Sequence, residues 1–443
     1  MTKITFYRGL RTIGGTFAAI ETDKARCVFD FGFTVDKRCD DKIKVRKGCI
    51  TRDYIYAGML PAVDGMYDED TADVFKIVSK EKYPKKTFML MSHMHIDHMG
   101  GIGLMHKDIP VYMSNDSLKL YRELIKWNDI QFFPHDNCIG MADGEEIKVE
   151  DIKVKLVPVD HDVIGAAGYL ITTPDGSIVY TGDYRFHGYH PETTEGFAKT
   201  VHGADLFITE SVTVSFDDID MPSLTKPEEA ERTEYSLLEE MRLLSNETDK
   251  LIVINPYNRN VERVHNLIGT FEKEGRKLVL DERQASYVKA FYPDRQYYVY
   301  EPVSEEKKLA GDAVYISREE LLEHKEKYVL QLDYENMYEI YDIADAVSCY
   351  IHMDGSPLGD YDPSYASMKL ILEKLGIEYR YMSIGGHAKP YYLKHMIEAA
   401  EPAVFVPLHG FRPEQFDVKN GAKRILPEEG QSFELKNHEV KAM

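Results

Sequence analysis

The apolar positions along the chain keep two rhythms. Residues 146–160, EIKVEDIKVKLVPVD, alternate polar and apolar and predict half-buried strands. Residues 167–181, AGYLITTPDGSIVYT, predict a hairpin turned at Pro174-Asp175-Gly176, where proline presets φ and glycine accepts a positive φ. A proline-bearing acidic stretch, VSFDDIDMPSLTKPEE, marks a linker from 214, and a helix is expected over 227–246 with Pro227 in its first turn. Beyond it, short apolar runs at 251–255, 277–280, 297–300, 313–317 and 328–332 read as strands. An amphipathic stretch follows the first of them, with Val261, Val264, Leu267, Ile268 and Phe271 on one helical face ended at Gly275. This alternation is that of βαβ units and a small parallel sheet. The last part of the chain begins after VSCYIHM at 347–353, with helices expected at 364–375 and after Pro390 and a buried strand at 403–408.

Composition narrows the class. At 443 residues the chain is long enough for two or three domains at about 150 residues each. Its 43% hydrophobic and 29% charged residues exclude disorder, collagen and coiled coil as the whole architecture. No apolar run approaches the roughly 18 residues of a membrane span. The opening MTKITFYRGLRTIGG lacks the basic segment and apolar core of a secretion signal. Five scattered cysteines fit a reducing compartment, so a cytoplasmic location is expected. The net charge of −21 repels polyanions at long range, so any nucleic-acid contact must come from a local basic patch.

The candidate chemistry is concentrated at Ser92-His93-Met94-His95-Ile96-Asp97-His98-Met99-Gly100-Gly101. The stretch follows the apolar run TFMLM, so it begins where a strand ends. Side chains two apart on extended backbone point the same way, which lets His93 and His95 share one metal. Asp97 and His98 lie one bend further on and can face a second metal. Imidazole with carboxylate suits Zn²⁺, with Mn²⁺ as the alternative. Gly100 and Gly101 let backbone pack close to the site. His161, Asp183 and His409 each close an apolar strand-like run, where a ligand is held rigidly. Together with the cluster they complete two metal shells.

These residues resemble the metallo-β-lactamase fold superfamily. Asp30 in VFDFGF matches its first motif, H-x-H-x-D-H its second, His161 its third and Asp183 in YTGDYRF its fourth. More narrowly, the chain is similar to the β-CASP branch, nucleases typified by ribonuclease J. Glu210 in LFITES, His387 in SIGGHAKPYYLKHMIEAAEP and His409 in FVPLHG match that branch's three further motifs. The resemblance implies an α/β fold: a metallo-β-lactamase αββα sandwich, residues 1–213 and 376–443, interrupted by a β-CASP parallel α/β insert at 214–375. It implies two zinc ions. His93, His95, His161 and Asp183 would hold one; Asp97, His98, Asp183 and His409 the other, with Asp183 bridging. Asp97, His387 and Glu210 would be catalytic, His387 as general acid oriented by Glu210, and Asp30 would orient a ligand histidine.

Two stretches depart from ribonuclease J. A lysine, Lys389, stands where the family has a serine after the motif histidine, either as a phosphate contact or as a solvated helix-start residue. The family's S-S-P-I-P-G-N-E stretch is recognisable but altered in Asp354-Gly355-Ser356-Pro357-Leu358-Gly359-Asp360, where Ser356 is a candidate substrate contact. Arg185, Arg259 and Arg263 are further candidates for phosphate contacts at the cleft mouth, and Tyr257, Tyr361 and Tyr391 for stacking bases or for packing. The expected activity is a two-metal phosphodiesterase, a ribonuclease J-like RNA-processing nuclease, whose partners would be single-stranded RNA and a second copy of the chain. Two other functions fit the same residues: a hydrolase of a small phosphodiester or ester with the insert as a lid, and a non-catalytic RNA-binding protein.

Overall fold

The computed structural model describes residues 1–34, 43–226, 231–304, 307–419 and 421–443. Three sheets organise them. The first has eight strands, in the order Glu439–Ala442, Ser432–Lys436, Thr2–Arg8, Phe17–Glu21, Ala25–Phe29, Lys86–Leu90, Val111–Ser114 and Cys138–Met141. The second has seven: Lys423–Arg424, Val404–Leu408, Leu206–Glu210, Gly176–Tyr180, Ala167–Thr173, Ile152–Pro158 and Glu146–Val149. They face each other across an apolar layer that includes Phe29, Leu90, Leu156, Tyr169, Ile178 and Leu408. Each such side chain contributes roughly 1.5–3 kcal/mol by leaving water. The alternation read at 146–160 is the antiparallel pair Glu146–Val149 and Ile152–Pro158, with Ile152, Val154 and Leu156 turned inward.

Helices close the outer faces. Pro191–Thr200 and Pro390–Ala400 cover the second sheet through Phe197, Ala198, Leu393, Met396 and Ile397. With helices outside and two sheets within, this part of the chain has the metallo-β-lactamase sandwich architecture.

The third sheet belongs to the additional domain, and every pairing in it is parallel. Its order is Ala313–Ile316, Tyr297–Tyr300, Lys277–Leu280, Tyr328–Gln331, Leu251–Pro256, Val347–Met353 and Glu378–Tyr381. The last strand lies beyond the boundary at 375 expected from sequence. Its pattern EYRY shows no buried face, because it sits at the edge of the sheet. A boundary after 381 therefore accommodates the sheet better.

The helix expected over 227–246 is shorter. It runs Glu234–Ser245, because Thr233 and Ser236 form a reciprocal capping box that fixes its start. Pro227 lies outside the described residues. The helix Val261–Lys273 buries Val261, Val264, Leu267, Ile268 and Phe271, the face read from the sequence, and ends before Gly275 at φ 79°. Among the described residues no helix is long and apolar enough to cross a membrane.

Candidate metal centre

Strand ends place the site. The parallel strands Ala25–Phe29 and Lys86–Leu90 stop together, with Phe29 opposite Leu90, and deliver Asp30 and Ser92-His93 to one edge. His95 is extended, at φ −73° and ψ 149°, and starts the short helix Ile96–Met99 that carries Asp97 and His98. In the second sheet Tyr180 pairs with Ile208 and Glu210 with Leu408, so Asp183, Glu210 and His409 emerge side by side. Asp30 at φ 46° and His409 at φ 54° adopt left-handed backbone, which costs of order 1–3 kcal/mol each. The Asp30 amide donates to Leu90 O at 3.0 Å and the His409 amide to Gly9 O at 2.9 Å, holding both in place. Gly101 meets its expected role: its amide donates to Phe31 O at 2.7 Å, and a Cβ there would lie 2.5 Å from that oxygen.

The side chains converge on Asp183 Oδ2. It lies 3.1 Å from His98 Nε2, 3.3 Å from His409 Nε2, 3.7 Å from His93 Nε2 and 3.8 Å from His387 Nδ1. Asp97 Oδ2 is 3.5 Å from His409 Nε2 and 3.8 Å from His98 Nε2. His95 Nδ1 faces His161 Nε2 at 3.3 Å. Two donors about 2.0–2.1 Å from one tetrahedral zinc stand roughly 3.3–3.4 Å apart, so several of these separations are those of ligands around a common ion. Three sets bring ligand atoms within 4.8 Å of one another: His93, His95, His161 and Asp183; Asp97, His98 and His409; Asp183, His387 and His409. The third set places His387 within ligand reach, which its assignment to proton transfer had not included.

Whether this pocket suits a divalent ion can be judged from its unsatisfied atoms. His93 Nε2, His98 Nε2, His409 Nε2 and Asp183 Oδ2 are buried and have no hydrogen-bond partner. Buried polar atoms are ordinarily paired, and four orphans aimed at one another require a shared partner. A divalent cation would supply it.

The opposite ring nitrogens are mostly fixed. Asp30 accepts from the Ser92 amide at 2.8 Å, from Ser92 Oγ at 2.8 Å, from His98 Nδ1 at 2.8 Å and from the Tyr180 hydroxyl. Ser92 Oγ in turn accepts from His93 Nδ1 at 2.9 Å, and Gly386 O accepts from His161 Nδ1 at 2.6 Å. These bonds leave Nε2 of all three rings with a lone pair for a metal. His409 differs. The Gly14 amide donates to its Nδ1 at 3.1 Å, which puts the proton of the neutral ring on Nε2. To bind through Nε2, His409 must release either that proton or Gly14.

Electrostatics follows from burial and crowding. Burial pushes His93 well below its ordinary value, and the neighbouring His98 and His161 push it further. Burial also lowers His161, to about 3, against the opposing pull of Asp162. Burial would raise the Asp183 carboxyl, but His409 and His98 outweigh it and hold it well below the carboxylate range. Burial would likewise lower His387, yet Glu210, with Oε2 3.2 Å from its Nδ1, and Asp183 lift it to about 10. A quarter of the His387 side chain remains open to the cleft.

The basic residues expected at the cleft mouth are engaged elsewhere. Arg185, Arg259 and Arg263 are each 2% exposed or less, so they are not available for phosphate contacts. Glu234 receives Arg185 Nη1 at 2.8 Å and Arg263 Nη2 at 2.8 Å. Arg185 Nε also reaches Asp160 at 3.2 Å, and Arg263 donates to Ile384 O at 2.6 Å and Ser383 Oγ at 3.0 Å. Arg259 donates to Met94 O, inside the His93–His98 motif itself, and to Asp129 O at 3.0 Å. The arginines thus fasten the additional domain to the metal motif and to the loop that carries His387. Breaking such a buried triad from one side leaves uncompensated charge, so Glu234→Ala should lose about 3–5 kcal/mol of stability. Urea unfolding followed by circular dichroism checks this; an unchanged midpoint would mean the triad does not hold the domains.

Other candidates fall around the rim. Lys389 Nζ pairs with Glu231 at 2.8 Å, Ser356 is exposed, and the Tyr257 ring packs 5.2 Å from that of His95. Tyr361 is exposed, and the Tyr391 hydroxyl bonds to Glu231. His187 donates to Gly385 O at 3.1 Å and His190 pairs with Glu262 at 2.7 Å, so both serve the surrounding structure. Sequence reasoning missed Asp162. Its Oδ1 lies 3.3 Å from both His95 Nε2 and His161 Nε2, and an acid next to a motif histidine carries no spacing signal of its own.

Comparison with known proteins agrees with this architecture. Residues 72–234 match the family model of the β-lactamase superfamily domain. Ribonuclease J of Pyrococcus abyssi is 23% identical over 290 residues, covering 63% of this chain and 58% of that protein. Ribonuclease J of Mycoplasma genitalium is 22% identical over 286 residues, covering 63% of this chain and 43% of that one. The chain thus spans about half the length of these relatives. A crystal structure of a protein of unknown function from Enterococcus faecalis V583 superposes with a TM-score of 0.81 at 30% identity, covering 97% of this chain and 99% of that one. Motifs, sandwich and matched relatives lead to one assignment: the chain carries a β-lactamase superfamily domain at residues 72–234 and is a metallo-β-lactamase- and ribonuclease J-like protein.

Proposed function

We propose that the chain is a two-metal hydrolase of phosphodiester bonds, a cytoplasmic ribonuclease J-like nuclease acting on single-stranded RNA. The observation that carries the reading is the clustering of six side chains, His93, His95, Asp97, His98, His161 and His409, around Asp183, with His93 Nε2, His98 Nε2, His409 Nε2 and Asp183 Oδ2 among their buried unpartnered atoms. In this reading His93, His95, His161 and Asp183 hold one zinc, and Asp97, His98, Asp183 and His409 the other; Mn²⁺ is the alternative. When bound, two such ions polarise the scissile phosphate and activate water at neutral pH.

The chain's own residues do the rest. Asp30 orients His98, and Ser92 orients His93, through the bonds described above. Glu210 steers His387 Nδ1, leaving Nε2 as the nitrogen from which a proton passes to the leaving oxygen. The Glu234 triad holds the backbone of the His387 loop, and burial of the ligand rings keeps bulk water from them.

A second reading, hydrolysis of a small phosphodiester, draws support from charge placement. The three arginines are consumed internally and Lys389 is paired. A cavity of about 520 Å³ flanking His161 is lined by Asp116, Asp143, Asp160 and Glu262, a poor path for a polyanion. Binding separates the two. A 5′-phosphorylated RNA strand held at one to three phosphates should show log affinity falling with log salt at roughly −0.7 to −2. The measurement uses a metal-loaded Asp97→Asn variant. A flat response, with a small phosphodiester still turned over by the wild type, selects the second reading.

A further inference from the structure

We propose that Asp162 is a positioning residue for the first metal position: its carboxylate accepts the Nε2 proton of His95 and fixes that ring with Nδ1 directed at the metal. The inference deepens the two-metal reading and rests on it. His95 is the one histidine of its set without an orienting partner in the bonds described so far. His93 has Ser92 and His161 has the Gly386 carbonyl, while His98 of the second set has Asp30.

The geometry leaves His95 one acceptor. Its Nδ1 faces His161 Nε2 at 3.3 Å, a ligand-to-ligand separation, so Nε2 is the nitrogen left to carry the proton. Asp162 Oδ1 stands 3.3 Å from that Nε2. Both atoms are buried and without a hydrogen-bond partner; Asp162 Oδ1 stands at the same 3.3 Å from His161 Nε2, but that ring already gives its proton from Nδ1 to the Gly386 carbonyl. Two orphaned atoms of opposite hydrogen-bonding character at this distance satisfy each other once a small ring rotation aligns the proton. The neighbouring loop is shaped around the carboxylate. A Cβ on Gly386 would lie 2.7 Å from Asp162 Cγ and 2.8 Å from His161 Cε1, so glycine admits the pair side by side. Asp162 also shares its segment with His161, so one stretch of backbone supplies a ligand and the group that orients its neighbour.

Competitive chelator titration of zinc into wild type, Asp162→Asn and Asp162→Ala tests the proposal. Asparagine keeps an acceptor oxygen and alanine does not. Asp162→Ala should weaken the first position by about 10–100-fold, the usual effect of removing such a partner, with the second position unchanged. Asp162→Asn should recover most of that loss. Equal affinities in wild type and Asp162→Ala would overturn the inference. So would a Co²⁺ absorption spectrum of Asp162→Asn showing a changed coordination number, because Asp162 would then be a ligand itself. A wild type that binds no metal would instead refute the two-metal reading. A variant that fails to fold is recognised by its circular dichroism, and Asp162→Asn, the least disruptive change, then decides from affinity and spectrum alone.

Discussion

Asp183→Ala should empty both metal positions and abolish turnover together. Its Oδ2 is the atom shared by His93, His98, His387 and His409, and among the described residues no other carboxylate lies within reach of all four. The substitution removes a ligand from each position and also the negative charge that offsets the crowded imidazoles. His98, buried and lifted above its ordinary value against that burial by Asp183 and Asp97, loses the first of those two partners. Without the bridge the two positions have three protein ligands each, one of them the poorly prepared His409. Elemental analysis after zinc reconstitution and gel filtration reads the outcome. The wild type should carry two ions per chain and the variant fewer than one. Two ions retained in Asp183→Ala would show that the positions do not share this carboxylate.

Much of this candidate centre is legible in the sequence because its candidate ligands are local or sit at strand ends. H-x-H-x-D-H is readable since extended backbone followed by one helical turn places all four side chains on one side. His161, Asp183 and His409 are readable as polar residues closing apolar runs, and parallel pairing of those runs brings the last two together. What escapes the sequence is long-range. Arg185, Arg259 and Arg263 look like a phosphate-binding set because arginine is ordinarily exposed. Glu234, far away in the chain, and the carbonyls of Met94 and Ile384 turn them inward. The start of the helix at Glu234 is set by the Thr233 capping box, a weaker signal than the Pro227 that drew the boundary too early. The Glu378–Tyr381 strand is invisible to periodicity because an edge strand with both faces partly wet needs no alternation.

His387→Ala should separate chemistry from metal binding. His387 approaches Asp183 Oδ2 at 3.8 Å and Glu210 Oε2 at 3.2 Å, so its stronger partner is the carboxylate of Glu210. If it is the general acid, the variant keeps two zinc ions and turnover falls by about 10²–10⁴-fold. If it belongs to the third ligand set, with Asp183 and His409, the variant loses an ion instead. The pH dependence supplies a second readout. In the metal-free protein Glu210 and Asp183 lift His387 to about 10, despite burial. A raised histidine stabilises the fold fully below its unfolded value of roughly 6.5, and that contribution fades as pH climbs through the folded value. Chelator-treated wild type should therefore lose unfolding midpoint between about pH 6.5 and 10, and His387→Ala should show a flatter profile over the same window. Bound cations oppose the two carboxylates, so in the metal-loaded enzyme the same ring should titrate lower and appear as the alkaline limb of the rate profile. That limb should vanish in His387→Ala while the metal content holds. An alkaline limb that persists in the variant would assign the acid to another group.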